Sequence, residues 1–184
     1  MNRYFVLALG LLLFSSDIAA SGGDWNPFQR KHKRSGEENC QRVIEKMKKT
    51  DPDLAGIFKS SEAWAVFPGI GKAGMGIGGA AGNGRVYRKG TFIGTATMSQ
   101  ISIGFQLGGQ IYSEIIFFQD DATLGKFKRG QFELGANVSA IIVDAGVAKK
   151  AGFKDGTIVM GMPQKGLMYE ATLSGQKFTF KASR

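Results

Sequence analysis

The sequence predicts an α+β domain in which N-terminal helices pack on a twisted, mainly antiparallel sheet or partly closed β-barrel. Three observations carry this. Apolar stripes of helical period occupy residues 40–58, the period changes to two beyond Phe67, and no series of helices alternates with the strands as a doubly wound parallel sheet requires. Glycine accounts for 27 of 184 residues and proline for 4, with no collagen period, so glycine here punctuates strands rather than marking a linker.

The N-terminus stands apart from that fold. Met1–Arg3 form a positive region, residues 4–14 (YFVLALGLLLF) an apolar one and residues 15–20 (SSDIAA) a small-residue one. The apolar run falls short of the roughly 20 residues that span a bilayer, so residues 1–20 are expected to be a secretory signal cleaved after Ala20 or Ser21, and no cysteine there supports a lipoprotein anchor. Residues 21–34 are polar and carry Arg30, Lys31, Lys33 and Arg34, and they read as a basic leader before a domain spanning 35–184. His32, the only histidine, falls in that leader, where an imidazole base would have no fixed surroundings.

The first element of the domain is a helix to about Lys49. Ser35-Gly36-Glu37-Glu38 has the form of a capping box, and Cys40, Val43, Ile44 and Met47 fall on one stripe suited to docking on a core. Glu38 with Arg42, and Glu45 with Lys49, are spaced to pair on the other side. Asp51-Pro52 restarts a helix with Asp51 as its cap and Leu54, Ile57 and Phe58 as its buried edge. Residues 63–67 (AWAVF) read as a buried strand ended by Pro68-Gly69.

Residues 67–90 (FPGIGKAGMGIGGAAGNGRVYRKG) are too rich in glycine for a helix, since each interior glycine costs about 1 kcal/mol relative to alanine. They read as a hairpin with its tip at Gly82-Asn83-Gly84 and a returning strand over residues 85–88. Ile101, Ile103, Phe105 and Leu107 share a face, and Ile111, Ile115 and Phe117 keep that parity beyond a bulge or break at Gly108-Gly109. Asp120-Asp121 caps a short helix over residues 122–127, and alternation from Phe132 to Ile142 marks another strand. A short helix over 145–151 and strands over 157–162, 167–173 and 177–181 complete the domain.

Enzymatic chemistry finds little support in these residues. Gly69–Gly74 satisfies the letter of G-x-G-x-x-G, but the glycines at 76, 78 and 79 exclude the helix whose N-terminus would meet a pyrophosphate. Lys72 precedes Ala73, so the loop is not a P-loop. One histidine and one cysteine make neither a nucleophile triad nor a metal cluster, Cys40 cannot form an internal disulfide, and each carboxylate has a role as cap, turn former or solvated strand residue. The expectation is a non-enzymatic protein without cofactor or metal.

Charge points elsewhere. Lys and Arg exceed Asp and Glu by 24 to 15, a net charge of +9 that favours anionic partners. Beyond the leader, the cations gather on the hairpin, at Lys72, Arg85, Arg88 and Lys89, and at the turn formed by Lys126, Lys128 and Arg129. These seven are the candidate lipid-binding residues, each worth about 1 kcal/mol against an anionic surface if they share a face. Solvated charges on an envelope protein-interaction domain are the alternative. Nucleic acid is disfavoured by export and by the lack of interleaved basic and aromatic residues on one strand.

Four blocks in order, WAVFPGIGKAGMGIGGAAGNGRVYRKG, IGFQLGGQIYSEIIFF, LGKFKRGQFELGANVSA and GLMYEATLSGQKFTF, resemble the SYLF lipid-binding domain family in its exported bacterial branch, over roughly Glu38 to Lys181. The resemblance implies a lipid-binding module without enzymatic activity. Eukaryotic relatives bind phosphoinositides through an amphipathic N-terminal helix and a basic surface, and some bind actin or carry an SH3 domain. The matching parts here are the helix from Glu38 to Lys49 and the basic groups of the hairpin and of LGKFKRG. The sequence departs from those relatives by its signal peptide and by ending at Arg184 without an SH3 domain. Anionic phospholipid of a bacterial envelope, such as phosphatidylglycerol or cardiolipin, is therefore the expected partner, and phosphoinositide and actin are disfavoured.

Overall fold

The structure, a computed structural model, describes residues 35–104, 109–132, 134, 140–165 and 175–183. All of them belong to one unit, Arg34–Arg184. The expected signal and leader, the middle of the expected 132–142 strand and the 167–173 strand lie outside the described residues.

Helix α1 spans Gly36–Thr50 and starts as its sequence dictates. Ser35 Oγ accepts from the Glu38 amide at 3.2 Å and Glu38 Oε2 accepts from the Ser35 amide at 2.7 Å. Because the cap engages Glu38, Arg42 bonds instead to Asn39 Oδ1, at 3.2 Å, and not to Glu38 as the spacing suggested. Helix α2, Leu54–Ser60, begins later than expected. Asp51 does not cap it. It is buried at the end of α1, where its carboxylate accepts from the Asp53 amide at 3.1 Å and from the Ala148 amide at 2.6 Å, tying α1 to the 3-10 turn Ala148–Lys150.

Strands β1 (Ala63–Arg88), β2 (Thr91–Gly104), β3 (Gly109–Phe118), β4 (Ile141–Ile142), β5 (Thr157–Lys165) and β6 (Gln176–Ala182) form one sheet in the order β4-β5-β3-β1-β2-β6. Every neighbouring pair is antiparallel except β4 with β5, which is parallel. The sheet is therefore mixed and, among the described residues, ends at β4 and β6 rather than closing into a barrel. Helix α3, Asp121–Lys128, follows β3 and is capped by Asp120, which accepts from the Thr123 amide at 2.8 Å.

The expected hairpin tip at Gly82-Asn83-Gly84 is not a turn. β1 runs through it for 26 residues, and the reversal falls at Lys89-Gly90, with φ of 46° and 87°, flanked by the pair Arg88 and Thr91. Two consecutive positive φ values make a two-residue turn whose twist suits the hairpin, so turn geometry and not glycine count decides its place. Pro68-Gly69 likewise does not end the strand; it shifts the register between Phe67 and Ile70.

A straight strand of that length would reach roughly 85 Å, several times the roughly 15 Å radius of gyration of such a domain. β1 instead bends and changes partner. Residues Ala63–Ala73 pair with β3, and Gly76–Arg88 pair with β2. The bend brings the second half against the first: a Cβ on Gly84 would lie 2.6 Å from the Val66 carbonyl oxygen and 2.7 Å from the Phe67 ring.

Two apolar clusters follow from this. Ala63, Ala65, Phe67, Ile116 and Phe118 face Ala96, Met98 and Phe178 of the other half, with Leu124 and Phe127 of α3 in the same cluster. The opposite face of β1, β3 and β5, with Val66, Ile115, Phe117, Ile158 and Met160, packs against Cys40, Val43, Ile44 and Met47 of α1 and Leu54, Ile57 and Phe58 of α2. The apolar stripe of α1 thus docks on the core. β3, covered on both faces, is buried from Tyr112 to Phe118. Ile101, by contrast, is 80% exposed while its neighbour Gln100 turns inward.

Replacing Gly84 by alanine is expected to lower stability by about 1–3 kcal/mol, because the new methyl group meets a backbone carbonyl. Gly71→Ala, at an exposed position with nothing near its Cβ direction, should change stability by less than about 0.5 kcal/mol. Chemical denaturation of both variants measures the contrast.

Candidate functional site

The returning half of β1 presents its cations to carboxylates. The guanidinium of Arg85 bonds Glu37 of α1 at 3.0 Å and the Tyr87 hydroxyl at 3.2 Å, and lies 3.7 Å from the centroid of the Phe92 ring. It thereby fastens the first turn of α1 to the sheet. Arg88 bonds Glu62 at 2.7 Å and Asp121 at 2.5 Å, joining the start of β1 to the first turn of α3. The Arg88 hydrogen bond, with Lys89 beside it, holds the Glu62 carboxyl below its usual range. Lys89 lies in the turn and donates to the Ser61 carbonyl and to Glu62, both at 3.1 Å.

Lys72 is 8% exposed, and desolvation lowers its pKa. It sits on β1 opposite Gln110, away from the Lys89-Gly90 turn.

The second basic group is differently placed. Lys126 and Lys128 occupy the last turn of α3 and Arg129 is its C-cap, a position where cations also complement the helix dipole. All three are exposed, and no carboxylate pairs with them among the described residues. Lys128 Nζ lies 5.6 Å from the Phe180 ring centroid, and Arg129 Nε donates to Gln131 at 2.8 Å. Of the seven sequence candidates, the structure thus places Lys126, Lys128 and Arg129 at one helix end in no ion pair among the described residues, sets Lys72 apart on β1, and holds Arg85, Arg88 and Lys89 in ion pairs.

Two features escaped the sequence reading. A cleft of about 310 Å³ between α1 and the ends of β3 and β5 is lined by Arg42, Val43, Lys46, Ser113, Met162 and Gln164. One turn of helix sets Arg42 and Lys46 on the same side, a signal that the i,i+4 spacing contained. The other feature is Glu114, wholly buried on the inner face of β3, where Gln176 of β6 donates to it at 3.2 Å. Nothing in strand alternation distinguishes this glutamate from a solvated one.

Burial raises the Glu114 pKa from 4.5 to about 7, against the opposing effect of the Gln176 hydrogen bond. The folded chain therefore keeps a proton between those values that the unfolded chain releases. Stability from this group is greatest below about pH 4.5, falls as pH rises toward about 7 and is level above it. Thermal unfolding across that range should show the decline, and Glu114→Gln should flatten it. Burial also raises the Cys40 thiol to about 11, so Cys40 is a neutral packing residue rather than a reactive one.

Among the described residues no group of His, Cys, Asp and Glu could hold a metal ion. Comparison with known proteins adds one match: residues 99–183 fit the Ysc84 family model, described as Las17-binding protein actin regulator. No curated protein matches the chain. The matched segment runs from the middle of β2 through β3, α3 and β5 to β6, and so includes the free basic turn. Over residues 99–183, then, the chain is similar to the Ysc84, or SYLF, family.

Proposed function

We propose that this chain is a non-enzymatic module, exported to a bacterial envelope, that adsorbs to anionic phospholipid. The Ysc84 (SYLF) domain is a lipid- or actin-related binding module, and the present reading takes the lipid branch. The observation that supports it is the run Lys126, Lys128 and Arg129, exposed and in no ion pair among the described residues, on a structured helix end. Charges already held in ion pairs would have to break them to meet a phosphate, whereas these three would not. At about 1 kcal/mol each, they contribute up to on the order of a hundredfold in partitioning, less as salt rises. The contact is peripheral in this account, since the apolar face of α1 is already buried in the core.

A second reading is a protein-interaction domain. The family description, which names binding of Las17 and regulation of actin, favours a protein partner, and the same basic turn suits an acidic protein face.

Co-sedimentation with vesicles separates the two. Binding should rise with phosphatidylglycerol content and fall with salt, and reversal of Lys126, Lys128 and Arg129 to Glu should abolish it at low salt. Vesicle binding unchanged by that triple reversal would contradict the proposal, and capture of an envelope protein without vesicle binding would favour the second reading.

A further inference from the structure

We infer that the cleft between α1 and the ends of β3 and β5 is a phosphate-binding site, distinct from the basic turn, that seats one phosphate-bearing head group. Arg42 and Lys46 form one wall, one helical turn apart and both exposed. Neither is in an ion pair among the described residues, and no carboxylate lines the cleft. Arg42 gives one N–H to Asn39, which fixes the guanidinium and leaves its remaining donors for a ligand.

The donors of the opposite wall are already engaged. Gln164 Nε2 donates to the Pro68 carbonyl at 2.6 Å and to Ser113 Oγ, and Ser113 Oγ donates to the same carbonyl at 3.1 Å. That wall ties β1, β3 and β5 together beneath α1 and sets the width of the cleft. Recognition of the anion consequently falls to Arg42 and Lys46, a planar fork and a point charge that together suit a phosphate better than a single cation would. Val43 and Met162 supply apolar surface beside them, a place for the carbon skeleton of a phosphate ester. The volume of about 310 Å³ lies at the small end of ligand sites, suited to a head group and not to an acyl chain.

The shared chemistry is a phosphate ester, from a membrane lipid or from a soluble metabolite. The lipid source rests on the membrane reading above; the phosphate site does not. Titration of the isotope-labelled full chain with glycerol 3-phosphate, followed by nuclear magnetic resonance, should shift signals of Arg42, Lys46, Ser113 and Gln164 saturably. The Arg42→Gln, Lys46→Gln variant, whose replacements keep helix propensity, should weaken that binding by about tenfold or more at unchanged thermal stability. The Lys126→Gln, Lys128→Gln, Arg129→Gln variant should leave it unaltered. A second arm uses phosphatidylcholine vesicles with and without phosphatidylglycerol: loss of vesicle binding in the Arg42, Lys46 variant supports a lipid head group, and unchanged vesicle binding with lost glycerol 3-phosphate binding supports a soluble phosphate ester. Absence of saturable shifts around the cleft, or shifts that persist in the Arg42, Lys46 variant, would overturn the site.

Discussion

The contact of β1 with itself is the constraint on which the rest of the fold depends. Gly82 and Gly84 lie against residues 66–70: a Cβ on Gly84 would meet the Val66 carbonyl oxygen at 2.6 Å, and one on Gly82 the Ile70 side chain at 2.8 Å and the Gly69 carbonyl oxygen at 3.0 Å. Because the strand can double over there, one chain segment serves β3 with its first half and β2 with its second. The two halves then enclose a phenylalanine-rich interior, and the outer face of the first half is left for α1 and α2. A side chain at this crossing would push the halves apart and loosen the interior cluster between them.

Electrostatics divides the surface in the same way. Arg85 and Arg88, on the second half of β1, reach to the first turns of α1 and α3 and act as struts between elements. Their energetic weight is modest where exposed, since such pairs are screened by water. Their larger effect is on availability: a guanidinium bonded to carboxylates offers little net charge to a membrane. Lys126, Lys128 and Arg129 at the end of α3 are in no such ion pair among the described residues, nor are Arg42 and Lys46 on α1, so these groups keep their charge available.

Much of this was legible in the residues. The capping box, the α1 stripe and the Asp120 cap are local patterns, and they form as their spacing dictates. The hairpin turn was not, because Gly-Asn-Gly and Lys-Gly both tolerate positive φ and only cross-strand register chooses between them. The first half of β2, Thr91–Ser99, lacks apolar alternation: its buried residues include Gly94, Ala96 and Met98, which sequence periodicity does not register as a core face. Asp51 and Glu114 were invisible for a related reason. Their partners lie 97 and 62 residues away, and only tertiary structure brings Ala148 and Gln176 to them. Which of the candidate cations is free of an ion pair likewise depends on carboxylates elsewhere in the chain, which the sequence does not place.

The similarity of residues 99–183 to the Ysc84 family and the arrangement of charge support the proposed binding role of the end of α3 and the α1 cleft, with the glycine-rich strand as scaffold. Hydrogen–deuterium exchange of the full chain on phosphatidylglycerol vesicles, compared with phosphatidylcholine vesicles, tests that division most directly. The account predicts added protection at residues 126–131 and around Arg42 and Lys46, with the Lys89-Gly90 turn unchanged. Protection centred on the Lys89-Gly90 turn, or none at the end of α3, would contradict it.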